Sequence, residues 1–142
     1  MMNERIHTIM IPNVITLTPG DTLGQAREIF MTKRIHHIPI VDGKKLVGLI
    51  TSWDMFKLGL SAVAYQDMRV SEVMTTHLAT LEPDQHIGAA AEVLMEHLFH
   101  AIPIVNDKRE LVGIVTTYDV LRYEYLKEYP ENLERFIPDN MR

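Results

Sequence analysis

The sequence predicts an α+β fold built from two copies of one βαββα unit. The chain repeats itself, and each copy alternates β-rich runs with helix-period apolar stripes. A repeat redefines every later question, so it comes first. A shift of 64 residues lays 14–41 (VITLTPGDTLGQAREIFMTKRIHHIPIV) on 78–105 (LATLEPDQHIGAAAEVLMEHLFHAIPIV), with 12 of 28 positions identical. One extra residue in the second copy moves the offset to 65, and 46–57 (LVGLITSWDMFK) then lies on 111–122 (LVGIVTTYDVLR) with 5 of 12 identical. The likeness reaches upstream as well, where Ile6, Ile9 and Met10 match Val70, Val73 and Met74. A unit of about sixty residues is small for a core of its own, so the copies are expected to share one.

Each copy reads in the same order. A short extended stretch (14–17; 78–81) ends near Pro19 or Pro83 and is the expected first strand. A helix follows. In the second copy Ile87, Ala90, Ala91, Leu94 and Leu98 form a single apolar stripe, and in the first Leu23, Ala26 and Phe30 follow it less cleanly. Two β-rich runs come next, 38–41 and 46–51, joined through Asp42-Gly43, a strong hairpin signal. Their counterparts, 102–105 and 111–116, are joined by the longer polar turn 106–110. A second helix starts near Trp53 or Tyr118. Pro39 and Pro103 lack a ladder donor and mark a strand start or edge. Gly48 and Gly113 interrupt aliphatic runs, where another backbone or a ligand comes close. The expected boundaries are 6–58 and 70–123 for the repeats, 59–69 for a linker and 124–142 for a tail.

Composition narrows the function. The chain has 142 residues, 46% hydrophobic and 23% charged, which is ordinary for one soluble globular unit. It has no cysteine, which excludes disulfides, thiolate metal sites and cysteine nucleophiles. No apolar run approaches the ~18 residues of a membrane span, and the polar start is not a secretory signal, so a cytoplasmic protein without membrane partners is expected. Net charge is −5, which argues against nucleic acid as a partner. GxSxG, Walker and GxGxxG patterns are absent, so no catalytic residue is assigned and no enzyme is expected. His97 and His100 are three apart, but no third ligand or HExxH accompanies them, and no metal site is expected. The nine methionines read as core filler.

The pattern His-x-Ile-Pro-Ile-Val, a turn, then Leu-Val-Gly-(Leu/Ile)-(Ile/Val)-Thr-x-x-Asp, twice in one chain, resembles the tandem CBS-domain pair, or Bateman module. A nearly bare pair is most similar to stand-alone bacterial CBS proteins, the acetoin-utilisation type among them. The resemblance implies two repeats packed through their sheets about a pseudo-twofold axis, with clefts between them. In many relatives those clefts bind AMP, ADP, ATP or S-adenosylmethionine. It also implies dimers formed through helices, and no fused effector fits in the remaining residues. No cofactor is required; the adenosyl compound is a regulatory ligand.

The residues give that ligand concrete partners. Thr51 and Asp54, and their matches Thr116 and Asp119, stand where a strand ends and a helix begins. Backbone N–H groups at a helix start favour an anion. The threonine hydroxyl adds a donor, and a carboxylate three residues on can accept both ribose hydroxyls, as an acid does in dinucleotide folds. The same Thr-x-x-Asp also fits a capping box. Both carboxylates are expected at exposed helix starts. His36, His37 and His100 precede the Ile-Pro pairs, where relatives often carry basic side chains toward phosphate. Ala101 stands opposite His37, and His97 opposite Lys33, so the two sites are expected to differ in phosphate affinity. Ile38, Ile102, Thr16 and Thr80 complete the expected ligand-binding set.

Beyond the acids, Met55, Phe56, Leu58 and Leu60, and Val120, Leu121, Tyr125 and Leu126, exceed what one buried stripe needs. That surplus suggests a homodimer formed through helices. The sequence thus reads as a ligand-sensing regulatory module that signals to a separate effector protein. One rival is a structural dimerisation or docking module with empty clefts; a second is a small hydrolase using the His and Asp residues. The tail can dock or stay loose.

Overall fold

The structure is a computed structural model that describes residues 2–97 and 99–137. It mixes helix and strand, and the chain divides into two compact units. One comprises 15–78 with 109–111; the other comprises the described residues of 1–14, 79–108 and 112–142.

In the first unit, β1 (His37–Asp42) and β2 (Lys45–Thr51) form an antiparallel hairpin, with Asp42 opposite Lys45. Gly43 takes φ +63°, the left-handed conformation a two-residue turn demands. In β2, Leu46, Gly48 and Ile50 alternate inward, as a half-buried strand should.

The expected first strand is a single residue long. Leu17 forms one parallel bridge to Ile40, with Leu17 N–H donating to Pro39 O (3.2 Å) and Val41 N–H donating to Leu17 O (2.9 Å). The next rungs in either direction would need N–H donors from Pro19 and Pro39, which have none. The second unit repeats this. Leu81 bridges Ile104, and Pro83 and Pro103 stop the ladder. Two prolines per repeat therefore turn a predicted strand into a bridge.

On the far side of β2, Leu49 and Thr75 exchange both backbone hydrogen bonds at 2.9 Å. In the second unit, Ile11 and Ile114 do the same at 2.9 and 3.1 Å, along β4 (Leu111–Thr116), which pairs with β3 (Ala101–Val105). The segment that leads each repeat in sequence thus completes the sheet of the other repeat. Gly48 and Gly113 make room for it: their close neighbours are methionine and backbone.

The leading segments also finish the helix starts. Helix α1 (Leu23–Thr32) is capped by the Thr22 and Gln25 side chains, and Leu23 N–H donates to Met68 O at 2.9 Å. Helix α4 (Ile87–His97) is closed by main chain, with Ile87 and Gly88 donating to Glu4 O (2.9 Å) and Met2 O (3.1 Å). Leu98, which the sequence places in this stripe, lies outside the described residues.

Each unit has a core, and each core draws residues from both copies. The first gathers Leu17, Leu23, Ala26, Ile38, Ile40, Ile50, Met55, Tyr65 and Val70; the second gathers Ile6, Ala90, Leu94, Ile102, Ile104 and Val115. Val70 and Ile6, matched residues of the two leading segments, are fully buried in these cores. The exchange of segments supplies what a sixty-residue unit would otherwise lack.

Helix α2 (Ser52–Leu58) ends at Gly59 in the left-handed conformation. The stretch read as a linker then forms helix α3 (Ala62–Gln66), capped by Ser61. Its Tyr65 is buried and donates its hydroxyl to Met55 O at 2.9 Å. A hydroxyl with a buried partner lets a tyrosine join a core. Helix α5 (Thr117–Glu128) is longer than α2, and a 3₁₀ segment (Pro130–Phe136) folds back on it. Arg122 Nε donates to Phe136 O, Asn132 Nδ2 donates to the Tyr125 hydroxyl (3.1 Å), and Phe136 meets the Tyr125 ring edge-on. The described part of the tail is docked.

Candidate ligand site

Each unit carries the Thr-x-x-Asp helix start, and in both the pair forms a reciprocal capping box. In the first, Thr51 N–H donates to Asp54 Oδ2 (2.9 Å) and Asp54 N–H donates to Thr51 Oγ1 (3.1 Å). In the second the distances are 2.7 and 3.3 Å, and the Thr116 hydroxyl adds a third bond to Asp119 Oδ2 at 2.8 Å. The capping role that the sequence held open is therefore present twice. It uses one oxygen, Oδ2, of each carboxylate.

The two carboxylates are not equivalent. Asp54 is partly exposed, with Lys57 Nζ 3.7 Å from its Oδ1. Asp119 is only 5% exposed, which corrects the expectation that both acids stand at open helix starts. Burial pushes the Asp119 carboxyl above its ordinary value, against the opposing pull of the Thr116 hydrogen bonds and the Arg122 charge.

The histidines are tied to these starts by backbone. Ser52 N–H donates to His36 O (3.0 Å), and Ser52 Oγ lies 3.5 Å from His36 Nδ1. Thr117 N–H donates to His100 O (3.1 Å) at the matched place. These bonds bring His36 and His100 beside their helix starts, and His37 lies opposite Thr51 in the hairpin. They also narrow the expectation of open N–H groups for an anion. Ser52 and Asp54, or Thr117 and Asp119, already donate, because the preceding loop lies against the helix and offers a carbonyl.

Ile38 and Ile102 are fully buried in the two cores and present no exposed surface. Thr16 and Thr80 are partly buried, each one residue before its bridging leucine. Leu17 and Leu81 face the cores, and alternation turns the two threonines the other way. Two residues were missed, Lys57 and Arg122, the cations nearest the carboxylates. Their signal was present: they close the aligned 46–57 and 111–122 segments as a matched basic pair.

A shallow depression of about 170 Å³ lies on the first unit, lined by Arg27, Phe30, Met31, Ser52, Met55, Phe56 and Tyr65. Large apolar side chains stand exposed on α2 and α5: Trp53, Phe56, Tyr118 and Leu121. Among the described residues, no group of three His, Asp or Glu side chains is placed to hold a metal, and no helix is long and apolar enough to cross a membrane.

The CBS-domain family model matches residues 6–61 and 70–125. The chain belongs to the CBS-domain family, as a tandem pair. The CBS pair of protein MJ0100, solved with 5′-methylthioadenosine and S-adenosyl-L-methionine, is 32% identical with TM-score 0.76, covering 88% of this chain and 98% of that one. A protein from Vibrio cholerae described as a candidate acetoin utilization protein (AcuB) is 26% identical with TM-score 0.79, covering 96% and 99%. Among curated proteins, a homoserine O-acetyltransferase of Methanohalobium evestigatum is 34% identical over 82% of this chain but only 23% of its own length. The CBS pair thus spans about a quarter of such enzyme-named relatives.

Proposed function

We propose that this CBS pair is a non-catalytic sensor of an adenosine-containing ligand, an adenine nucleotide or an adenosyl compound of the S-adenosylmethionine type. The observation that carries the reading is the duplicated Thr–Asp helix start, in which the cap is built on Oδ2 of each carboxylate and a ribose at Asp54 would compete with Lys57 for Oδ1. The adenosyl ligands of the 32%-identical MJ0100 pair support it. Thr51, Asp54, His36 and His37 would serve one site, and Thr116, Asp119 and His100 the other, with Thr16 and Thr80 beside the bridging leucines. Binding would favour one arrangement of the protein by its difference in affinity for the two. A separate cytoplasmic effector would read that change.

Thermal melting with AMP, ADP, ATP, S-adenosylmethionine and 5′-methylthioadenosine tests the reading. A ligand at a hundred times its Kd adds about 2.7 kcal/mol, roughly 5–10 °C in a chain of this size. No shift with any of them at millimolar levels would sink it. That outcome would favour a structural docking module, for which the exposed Phe56 (74%) and Leu121 (69%) speak. Homodimerisation through α2 and α5 is part of either reading. Phe56→Glu with Leu121→Glu should convert a dimer to monomer in light scattering, and an unchanged mass would exclude that surface.

A further inference from the structure

We propose that Met10 and Met74 are peroxide-responsive latches: oxidation of their thioethers to sulfoxides releases the leading segments from the edges of β4 and β2. The two methionines hold the same position in the two repeats, and each belongs to a segment that completes a sheet. A Cβ built on Gly48 would stand 2.5 Å from Met74 Sδ, and one on Gly113 2.7 Å from Met10 Sδ, so each sulfur lies on the bare face of a glycine. Both methionines are half-buried. Each packs against the core of its unit, yet neither is sealed from solvent. The chain has no cysteine, so its reactive sulfur is thioether.

The chemistry needs hydrogen peroxide and nothing else. A sulfur lone pair attacks one peroxide oxygen, the O–O bond breaks, and the departing oxygen takes the proton and leaves as water. Sulfur is oxidised by two electrons and the peroxide is reduced. The product puts a polar acceptor where an apolar chain was packed. The other polar atom on each glycine face is a carbonyl oxygen, Thr75 O or Ile11 O, which cannot donate to it. The next N–H groups along the chain, those of Thr75 and Ile11, are spent on Leu49 O and Ile114 O. The sulfoxide must stay unpaired, take one of those N–H groups or swing out to water, and each course loosens the bridge. Release bares the backbone of Leu49 and Ile114 as an open sheet edge, a surface that pairs with other strands. Met31 and Met95, also a matched pair, are 69% and 71% exposed on α1 and α4, where water solvates a sulfoxide. They are the internal control.

The latch stands apart from the adenosyl reading and is tested on the intact chain. Hydrogen peroxide is applied, sulfoxides are located by peptide mass spectrometry, and opening is read by amide hydrogen exchange. With Met10 and Met74 oxidised, exchange at Leu49, Thr75, Ile11 and Ile114 should quicken at least about tenfold. Val41 and Val105, bonded to Leu17 and Leu81 on the other side of each hairpin, should stay within about twofold. Methionine sulfoxide reductases should restore the slow exchange. Met10→Leu with Met74→Leu, a change that nearly conserves volume, should abolish the response, and Met31→Leu with Met95→Leu should keep it. Four results would overturn the latch: slow bridges with both sulfoxides formed, Met10 and Met74 still thioethers once Met31 and Met95 are fully converted, all six amides quickening alike, or no recovery on reduction.

Discussion

Gly48 lies directly beneath Met74: a Cβ placed on the glycine would come 2.5 Å from Met74 Sδ and 3.2 Å from the Thr75 carbonyl oxygen. The same relation holds between Gly113 and Met10, at 2.7 Å from Sδ and 3.0 Å from Ile11 O. Each glycine is where the leading segment of the other repeat closes on the hairpin. The methionine end can move; the carbonyl, held in a two-bond bridge, cannot. Gly48→Ala and Gly113→Ala should each destabilise by about 1–3 kcal/mol in urea unfolding, the usual range for overpacking. Adding Met74→Ala to Gly48→Ala should recover only part of the loss. Full recovery would mean the carbonyl contact does not matter.

Ile6 stands six residues from the start of the sequence, yet it is fully buried in a core with Leu94, Ile102 and Val115. Ile6→Ala should therefore cost about 2–5 kcal/mol, as for any core isoleucine. The exposed neighbour His7 gives the control, since His7→Ala should stay within about 0.5 kcal/mol. Chemical denaturation followed by circular dichroism reads both.

Tyr65→Phe isolates the hydroxyl bond that fastens α3. Loss of the 2.9 Å bond leaves the Met55 carbonyl without that donor. A loss of about 1–3 kcal/mol is expected, with the ring packing intact. An unchanged midpoint would mean the bond contributes nothing net.

Asp119 gives the stability of the fold a pH signature. Its folded carboxyl is held above the ordinary 3.8 by burial, so the folded state binds more protons than the unfolded one as pH rises past that value. Stability relative to Asp119→Asn should fall from about pH 4 until the folded carboxyl has ionised, then level off. The opposite slope, stability rising through that window, would place the carboxyl below its ordinary range.

Thr51→Ala and Thr116→Ala separate capping from ligand contact. Each should lose about 0.5–2 kcal/mol of stability through its cap. If the helix starts also bind ligand, adenosyl affinity falls together with the melting temperature. If they only cap, affinity stays constant while the melting temperature drops.

Much of this was legible from residues alone. The hairpin at Asp42-Gly43, the second helix after Thr51 or Thr116 and the capping box follow from turn and cap chemistry, which acts over three or four residues. The first strand differs from the sequence expectation, being a single bridge in each repeat. Pro19 and Pro39, with Pro83 and Pro103, stop a ladder only when the partner and register are known, and register is a long-range property. Helix α3 leaves little trace in the sequence because five residues carry too little periodicity; Ser61 as a cap and Tyr65 as an anchor are its signals. At the candidate site, the Thr–Asp pairs were visible, while the loop carbonyls of His36 and His100 that occupy the helix-start donors were not.

The sequence by itself determined the duplication, the order of elements and the family, because these rest on short-range patterns written twice. Only the tertiary structure decided which sheet each leading segment completes. Ile6-Ile9-Met10 and Val70-Val73-Met74 are so alike in size and polarity that either could fill either place, and covalent order does not choose between them. It also decided that Asp119 is buried and Asp54 is not, since the two sit in the same local motif and differ in what the rest of the chain packs around them.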